Sequence, residues 1–165
     1  MKIYLISPPK LTKSFNSKIF DTITDIIPVE YFQFRPKFKL LKDRLNFVEM
    51  HYESFSRVCK KKKIKLIIND DFEIAEEFTF DGIHLGQNDK SCKAAKEKFG
   101  KEFIVGVSCS SSENLYKKAK SDGADYVAFG PAFNSKTKKG LSIDLGDFKK
   151  FIKKIELPFV LIGGV

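Results

Sequence analysis

Polar side chains able to bind ligands or ions follow the second and third short apolar runs of this sequence. Gln33, Arg35 and Lys37 alternate with apolar residues, so an extended chain places these three side chains on one side. Asn69 and Asp70 follow the third run. The two cations suit a polyanion such as pyrophosphate. The carboxylate suits Mg²⁺, which prefers carboxylates and substrate phosphate oxygens as ligands. The alternatives left open are a solvated basic strand end and a helix cap.

Two further apolar runs are also followed by candidate ligands. Asp89 is a candidate second carboxylate for the same ion, and its alternative is the N-cap of a helix over 90–99. Ser108 ends a later run. Neither histidine, His51 or His84, is near Ser108 in the sequence, so we predict that its hydroxyl hydrogen-bonds substrate rather than attacks it. His84 lies inside an apolar run and is interpreted as structural. Cys109, beside Ser108, is interpreted as having no catalytic role.

The segment 130–140 is the most informative loop of the sequence. It contains Ser135, Lys136, Thr137 and Lys138, which supply neutral and charged donors that can together cradle a phosphate. The glycine, lysine and hydroxyl order of a Walker A loop is not present. A solvated polar loop is the alternative interpretation.

Short apolar runs alternate with stretches of helical spacing along the whole chain. The strands are predicted at 3–6, 29–34, 64–68, 83–85, 103–107, 126–129 and 159–162, with helical spacing at 71–79, 90–99, 112–122 and 144–155. This alternation predicts a parallel sheet covered by helices. Polar or glycine residues end nearly every strand, which favours a (β/α)8 TIM barrel over an open doubly wound sheet. We expect one domain over 1–165, truncated after strand seven.

Composition excludes several functional classes. The 165 residues are 42% hydrophobic and carry a formal charge of +9, but the 30 basic residues include only three arginines. Lysine excess indicates a general surface bias more than a nucleic-acid footprint, and the run Lys60–Lys63 is interpreted as a solvated helix end. The sequence has no long apolar stretch, and its three cysteines form no C-x-x-C pair. We therefore expect a cytoplasmic protein without a membrane span, disulfide framework or zinc site.

Six motifs occur in order across essentially the whole chain: QFRPK, IINDD, DGIHLGQND, GVS, DGADYVAFGP and SKTK. Together they resemble thiamine phosphate synthase. The resemblance implies a (β/α)8 barrel that joins a hydroxymethylpyrimidine diphosphate to a thiazole phosphate, releasing pyrophosphate. It also implies Mg²⁺ as cofactor, small-molecule substrates, and neither a nucleic-acid nor a membrane partner. A homo-oligomer is left open.

The resemblance also implies roles for individual residues. The residues that correspond to the pyrimidine diphosphate site are Gln33, Arg35, Lys37, Asn69, Ser108 and Lys138. Asp70 and Asp89 correspond to the magnesium ligands, while Ser135, Thr137 and Gly164 correspond to contacts with the thiazole phosphate. Phe34, Pro36 and Lys136 are also expected to bind substrate. Arg35, Lys37, Ser108 and Lys138 are expected to be catalytic. Ser135 stands where the family more often has threonine, and this change retains the hydroxyl group.

The sequence ends at Val165, before the eighth strand and the last two helices of the family's barrel, so we expect that it is truncated. Because an incomplete barrel exposes strand edges, we expect residues 1–165 alone to aggregate readily and to be weakly active or inactive. Three alternative functions remain: a thiazole tautomerase, a basic nucleic-acid-binding module, and a non-catalytic remnant.

Overall fold

The computed structural model describes residues 2–132, 148 and 151–163. The chain divides into two compact units, Met1–Ile83 and His84–Val165. Each unit repeats the same pattern, in which a strand is followed by a helix and then by a parallel strand.

The first unit contains three complete strands and three helices. In chain order they are β1 Ile3–Ile6, α1 Ser17–Ile26, β2 Val29–Phe34, α2 Leu41–Lys62, β3 Lys65–Asn69 and α3 Phe72–Glu77, and β4 Gly82–Leu85 crosses the boundary between the units. The strands β1, β2 and β3 pair in parallel, with Leu5 opposite Phe32 and Gln33 opposite Ile67. This register brings the carboxyl ends of the three strands to one edge.

Aromatic side chains form the core of the first unit. The rings of Phe20 on α1 and Phe55 on α2 stack on the ring of Phe32, with centroids 4.3 and 5.2 Å apart. All three side chains are almost fully buried. Helix α1 begins where the Asn16 carboxamide oxygen accepts hydrogen bonds from the amides of Lys18 and Ile19, at 3.0 and 3.2 Å. Both helices are thereby fixed against β2, whose carboxyl end carries predicted site residues.

The lysine run forms the end of α2, as predicted. Lys60, Lys61 and Lys62 occupy its last turn, and Lys63 ends the helix in the left-handed conformation at φ 57°. The ammonium of Lys61 lies 3.4 Å from the carboxylate of Asp21 on α1. These cations complement the negative end of the helix dipole and pair with acidic groups of a neighbouring helix, so the prediction that the run ends a helix is confirmed.

The second unit continues the alternation. Its further elements are α4 Cys92–Phe99, β5 Ile104–Ser110, α5 Glu113–Ser121, β6 Tyr126–Phe129 and β7 Phe159–Leu161. The strands β5, β6 and β7 pair in parallel, with Gly106 opposite Tyr126 and Val127 opposite Phe159. Ser91 and Ser112 cap α4 and α5 through their hydroxyl oxygens.

All seven predicted strands are present. The largest difference is at β5, which was predicted to end at 107 but extends to Ser110, so that Ser108 lies inside the strand. A register irregularity between Ser108 and Ser110 accompanies this extension. Within the predicted helix 144–155, the described positions Phe148, Phe151 and Ile152 are helical, whereas 153–155 are not, so the predicted end at 155 is wrong. None of the helices in the described ranges combines the length and apolar character that a membrane span requires.

Candidate active site

The carboxyl end of β2 is held by the end of β1. The Ser7 hydroxyl accepts a hydrogen bond from the Arg35 amide at 2.9 Å, and the Ser7 amide donates to the Gln33 carbonyl at 2.9 Å. The Gln33 side chain is 2% exposed and donates to the Tyr4 hydroxyl at 3.0 Å. Two predicted substrate-binding residues, Gln33 and Arg35, are therefore fixed by a serine that follows the neighbouring strand.

Phe34 and Pro36 alternate with these polar residues, as the extended-chain pattern predicts, and both are buried. The Phe34 ring packs against the rings of Phe47 and Phe55 on α2, with centroids 5.5 Å away in each case. Its side chain therefore belongs to the core. We therefore expect any substrate contact at Phe34 to involve its backbone atoms.

The end of β3 brings a carboxylate to the lysine that follows β2. The Lys37 ammonium lies 2.9 Å from Oδ2 of Asp70, and both side chains are partly exposed. Asp70 adopts the left-handed conformation at φ 63°, which is uncommon for a residue other than glycine but tolerated by aspartate. The preceding Asn69 is 6% exposed. The first unit thus places a cation and a carboxylate in direct contact at the strand ends, where the sequence predicted them.

The next carboxylate, Asp71, has a different partner. Asp71 occupies the N-cap position of α3, a place where aspartate is a favoured side-chain cap, but its side chain makes no capping hydrogen bond. The Arg44 guanidinium instead binds both carboxylate oxygens, with Nε 2.9 Å from each. Burial raises the pKa of Asp71, and the Arg44 guanidinium opposes that shift. Arg44 therefore competes successfully with the helix terminus for this carboxylate.

Asp89 lies in the turn between β4 and α4. It is exposed, and its Oδ2 accepts a hydrogen bond from the Gly86 amide at 2.6 Å. A Cβ atom at Gly86 would lie 2.8 Å from the same oxygen, so glycine leaves space for this carboxylate. The alternative interpretation of Asp89 as a helix cap is wrong, because Ser91 caps α4 by accepting from the Ala94 amide.

The Ser108 side chain contacts that of His84, which lies 24 positions earlier in the sequence. The Ser108 hydroxyl lies 2.9 Å from Nε2 of His84, and Nδ1 of His84 lies 3.0 Å from the Tyr126 hydroxyl. The Gln87 side-chain amide donates to the Ser108 carbonyl oxygen. The structural interpretation of His84 did not anticipate its contact with a predicted site residue. Its polar ring inside an apolar strand was the available signal.

The start of the segment 130–140 packs closely against the end of β7. The Ala132 amide donates to the Ile162 carbonyl at 2.9 Å, and a Cβ atom on Gly163 would lie 2.9 Å from Cα of Pro131. Gly163 adopts φ 95°, a conformation that favours glycine. The remaining predicted residues, Ser135, Lys136, Thr137, Lys138 and Gly164, lie outside the described residues.

The donor chemistry of the two predicted metal ligands fits Mg²⁺. Asp70 and Asp89 present carboxylate oxygens, the ligand type that this hard cation prefers. Asp70 already holds a positive charge, the Lys37 ammonium, at 2.9 Å. In the described part of the chain, no group of three or more histidine, cysteine or acidic side chains could hold a metal ion.

Comparison with known proteins identifies the family. The family model described as thiamine monophosphate synthase matches residues 3–165. The chain belongs to this family. It is 38% identical over 168 residues to the thiamine-phosphate synthase of Pelagibacter ubique strain HTCC1062, covering 99% of this chain and 77% of that protein. It is 37% identical over 142 residues to the thiamine-phosphate synthase of Lactococcus lactis subsp. cremoris strain MG1363, covering 83% and 63% of the two chains.

A solved thiamine phosphate pyrophosphorylase from Pyrococcus furiosus has the same fold. It matches with a TM-score of 0.79 at 22% identity, over 99% of this chain and 75% of that chain. The predicted fold class, a (β/α)8 barrel followed through its seventh strand, is thereby confirmed. The resemblance to the thiamine monophosphate synthase family, inferred from six motifs, is also confirmed, and with it the assignment to a family of transferases of thiamine biosynthesis.

Proposed function

We propose that this protein is a thiamine phosphate synthase that acts in the cytoplasm. It would condense 4-amino-2-methyl-5-hydroxymethylpyrimidine diphosphate with 4-methyl-5-(2-phosphoethyl)thiazole, giving thiamine monophosphate and pyrophosphate. With the carboxylated form of the thiazole, carbon dioxide would be released as a third product. The observation that carries this proposal is the contact between Lys37 and Asp70 at the strand ends of a chain that matches the family over residues 3–165. A cation and a carboxylate in contact can together bind a diphosphate and its counter-ion.

Charge neutralisation is the main task of the proposed diphosphate site. Arg35 and Lys37 follow β2, and the backbone between them is fixed by Ser7 and by a 3.3 Å hydrogen bond from the Lys37 amide to the Pro9 carbonyl. Arginine can bind phosphate oxygens through two parallel hydrogen bonds, while lysine acts as a point charge. Because the backbone that carries both side chains is held in place, the two cations need to move only their side chains to stabilise the charge that develops on departing pyrophosphate.

Magnesium is the proposed cofactor, held by the carboxylates of Asp70 and Asp89. When bound, the ion would neutralise negative charge on the diphosphate oxygens and orient them. Asp70 exchanges its present partner, Lys37, easily, because both side chains are partly exposed and lysine makes no bidentate contact. Lys37 is then able to turn its ammonium to the diphosphate.

The proposed reaction needs no nucleophile from the protein. The bond between the exocyclic carbon and the diphosphate oxygen breaks, its electron pair leaves with pyrophosphate, and the electron-rich pyrimidine stabilises the cationic carbon. The thiazole nitrogen then donates its electron pair to that carbon. Gln33, Asn69 and Ser108 would hold the pyrimidine diphosphate, and Lys138 the leaving group. Ser135, Lys136, Thr137 and Gly164 would meet the thiazole phosphate.

The test is a single-turnover reaction, with the protein in excess over both substrates and Mg²⁺ present. Thiamine monophosphate and pyrophosphate are quantified together. We expect equal amounts of the two products and a loss of product formation when the metal is chelated. Asp70→Asn should slow the reaction by about 100-fold or more, as expected when one group that stabilises transition-state charge is removed.

Asp43→Asn is the matched control, because Asp43 is an exposed carboxylate in the first turn of α2. It should leave the rate within about twofold of wild type, since isolated surface charges contribute little. Isomerisation of the thiazole without pyrophosphate release would indicate the tautomerase alternative. Absence of thiamine monophosphate in the wild-type reaction would refute the proposed activity for this chain.

A further inference from the structure

Tyr126, His84 and Ser108 form a continuous chain of hydrogen-bonded side chains in the second unit. Tyr126 on β6 and His84 on β4 are 2% and 6% exposed, whereas Ser108 on β5 is partly exposed. The distances along the chain are 3.0 Å at Nδ1 of His84 and 2.9 Å at Nε2. Both ring nitrogens of a buried histidine are therefore engaged, and the outer end of the chain is a hydroxyl that we place in the substrate site.

Packing holds the inner end of this chain in one position. Gly106 lies opposite Tyr126 in the parallel pair of β5 and β6, and a Cβ atom at Gly106 would overlap the phenol ring. The Tyr126 ring thus fills the space that a side chain at Gly106 would occupy. It also stacks on the imidazole of His84, with centroids 5.7 Å apart and planes 29° apart. The Gln87 amide bound to the Ser108 carbonyl holds the backbone at the outer end.

The group bound at Nδ1 distinguishes this arrangement from a hydrolytic triad. A triad carboxylate carries the negative charge that stabilises an imidazolium during catalysis, and a neutral phenol does not. These hydrogen-bonded side chains are therefore suited to orienting the serine hydroxyl rather than to removing its proton.

We infer that Tyr126 and His84 are positioning residues that make Ser108 a hydrogen-bond donor toward the substrate. This inference rests on the proposed function, in which Ser108 meets the pyrimidine diphosphate. Diphosphate oxygens accept hydrogen bonds and do not donate them, so the serine must direct its proton outward. Nε2 of His84 must then carry a proton and donate it to the serine oxygen, and Nδ1 must accept from the Tyr126 hydroxyl.

The tautomer of His84 is the first measurement, and it needs no ligand. The sequence contains two histidines, so ¹⁵N-labelled wild type and His51→Gln together assign the imidazole signals of His84. The inference predicts the tautomer protonated at Nε2. The tautomer protonated at Nδ1 would overturn it, whether or not the protein proves to be a thiamine phosphate synthase.

A pair of substitutions then tests whether His84 acts through Ser108. In His84→Gln the side-chain amide can replace Nε2, whereas in His84→Asn it can replace only Nδ1. Binding of the pyrimidine diphosphate with Mg²⁺ is measured by calorimetry. We expect His84→Asn and Ser108→Ala each to weaken binding by about 10-fold, the range of one hydrogen bond to a charged group, and His84→Gln to remain within about threefold of wild type.

The double variant separates positioning from folding. If His84 acts through the serine hydroxyl, adding His84→Asn to Ser108→Ala should weaken binding by less than about twofold further. Additive losses, or equal losses in His84→Asn and His84→Gln at unchanged melting temperature, would refute the positioning role. Failure of wild type to bind the pyrimidine diphosphate would instead refute the proposed function. The tautomer measurement would still decide the direction of the hydrogen bonds that join Tyr126, His84 and Ser108.

Discussion

Replacing Arg44 with alanine should destabilise the protein far more than replacing a second arginine of the same helix. The Arg44 guanidinium binds both oxygens of Asp71, with Nη2 2.7 Å from Oδ1, and also donates to the Phe38 carbonyl at 3.0 Å. The two charged side chains are only 21% and 10% exposed. Arg44→Ala removes these bonds and leaves the Asp71 carboxylate buried without this compensating charge.

The size of the loss follows from this burial. Breaking a fully buried ion pair by removing one partner costs about 3–5 kcal/mol. Because the Arg44–Asp71 pair retains some exposure, we expect about 2–4 kcal/mol. Arg57 is the matched control, since its pair with Glu53 on the same helix spans 3.4 Å and both side chains are at least 75% exposed. Arg57→Ala should cost less than about 0.5 kcal/mol.

Urea unfolding followed by circular dichroism measures both free energies of unfolding. A third variant carrying Arg44→Met and Asp71→Leu should recover most of the stability, because apolar replacements of similar volume remove the unpaired charge. Equal effects of Arg44→Ala and Arg57→Ala would refute the reasoning. So would a double variant less stable than Arg44→Ala alone.

Three further predictions concern packing, capping and thiol chemistry. Gly106→Ala should lower the free energy of unfolding by about 1–3 kcal/mol, because the methyl group of the new alanine would overlap the Tyr126 ring. An unchanged urea midpoint would contradict this. Ser91→Ala should cost about 1 kcal/mol through loss of the cap on α4, measured in the same way, and a loss below about 0.3 kcal/mol would show that the cap is unimportant. Burial raises the pKa of the Cys59 and Cys109 thiols to about 12, so both should resist Ellman's reagent in the folded protein at pH 8 and react after denaturation. Rapid labelling of either thiol in the folded state would contradict their burial.

The strands of this fold could be predicted because each is a short apolar run that ends in polar or glycine residues. The first two helices were harder to delimit. Helix α1 contains Ile19, Thr22, Ile23 and Thr24, whose branched side chains favour strands, and its start depends on a single capping residue, Asn16. Packing of Phe20 against Phe32 overrides these local preferences. Tertiary contacts of this kind are not visible in a local pattern.

The places of these polar residues near the strand ends could be predicted, but their hydrogen-bond partners could not. Gln33 lies near the carboxyl end of β2, and Arg35 and Asp70 follow β2 and β3. Their positions required only the alternation of side chains and the rule that parallel strand ends converge. The bonds that fix them depend on register. Ser7 reaches the amide of Arg35 across 28 positions, and His84 reaches Ser108 across 24. Such pairs become apparent only when neighbouring strands are aligned residue by residue.

Asp70 and Asp71 show how the identity of the cationic partner can separate a structural carboxylate from one available for chemistry. The two aspartates are adjacent, yet Asp70 adopts φ 63° and contacts an exposed lysine, while Asp71 adopts φ −83° and is bound by a largely buried arginine. The planar guanidinium holds Asp71 through several fixed bonds, which suits a permanent structural contact. The ammonium of Lys37 holds Asp70 through one contact on a flexible stem, so that carboxylate would be able to exchange this partner for the divalent cation that we propose. The choice between arginine and lysine therefore determines which of two identical carboxylates remains available for the proposed reaction.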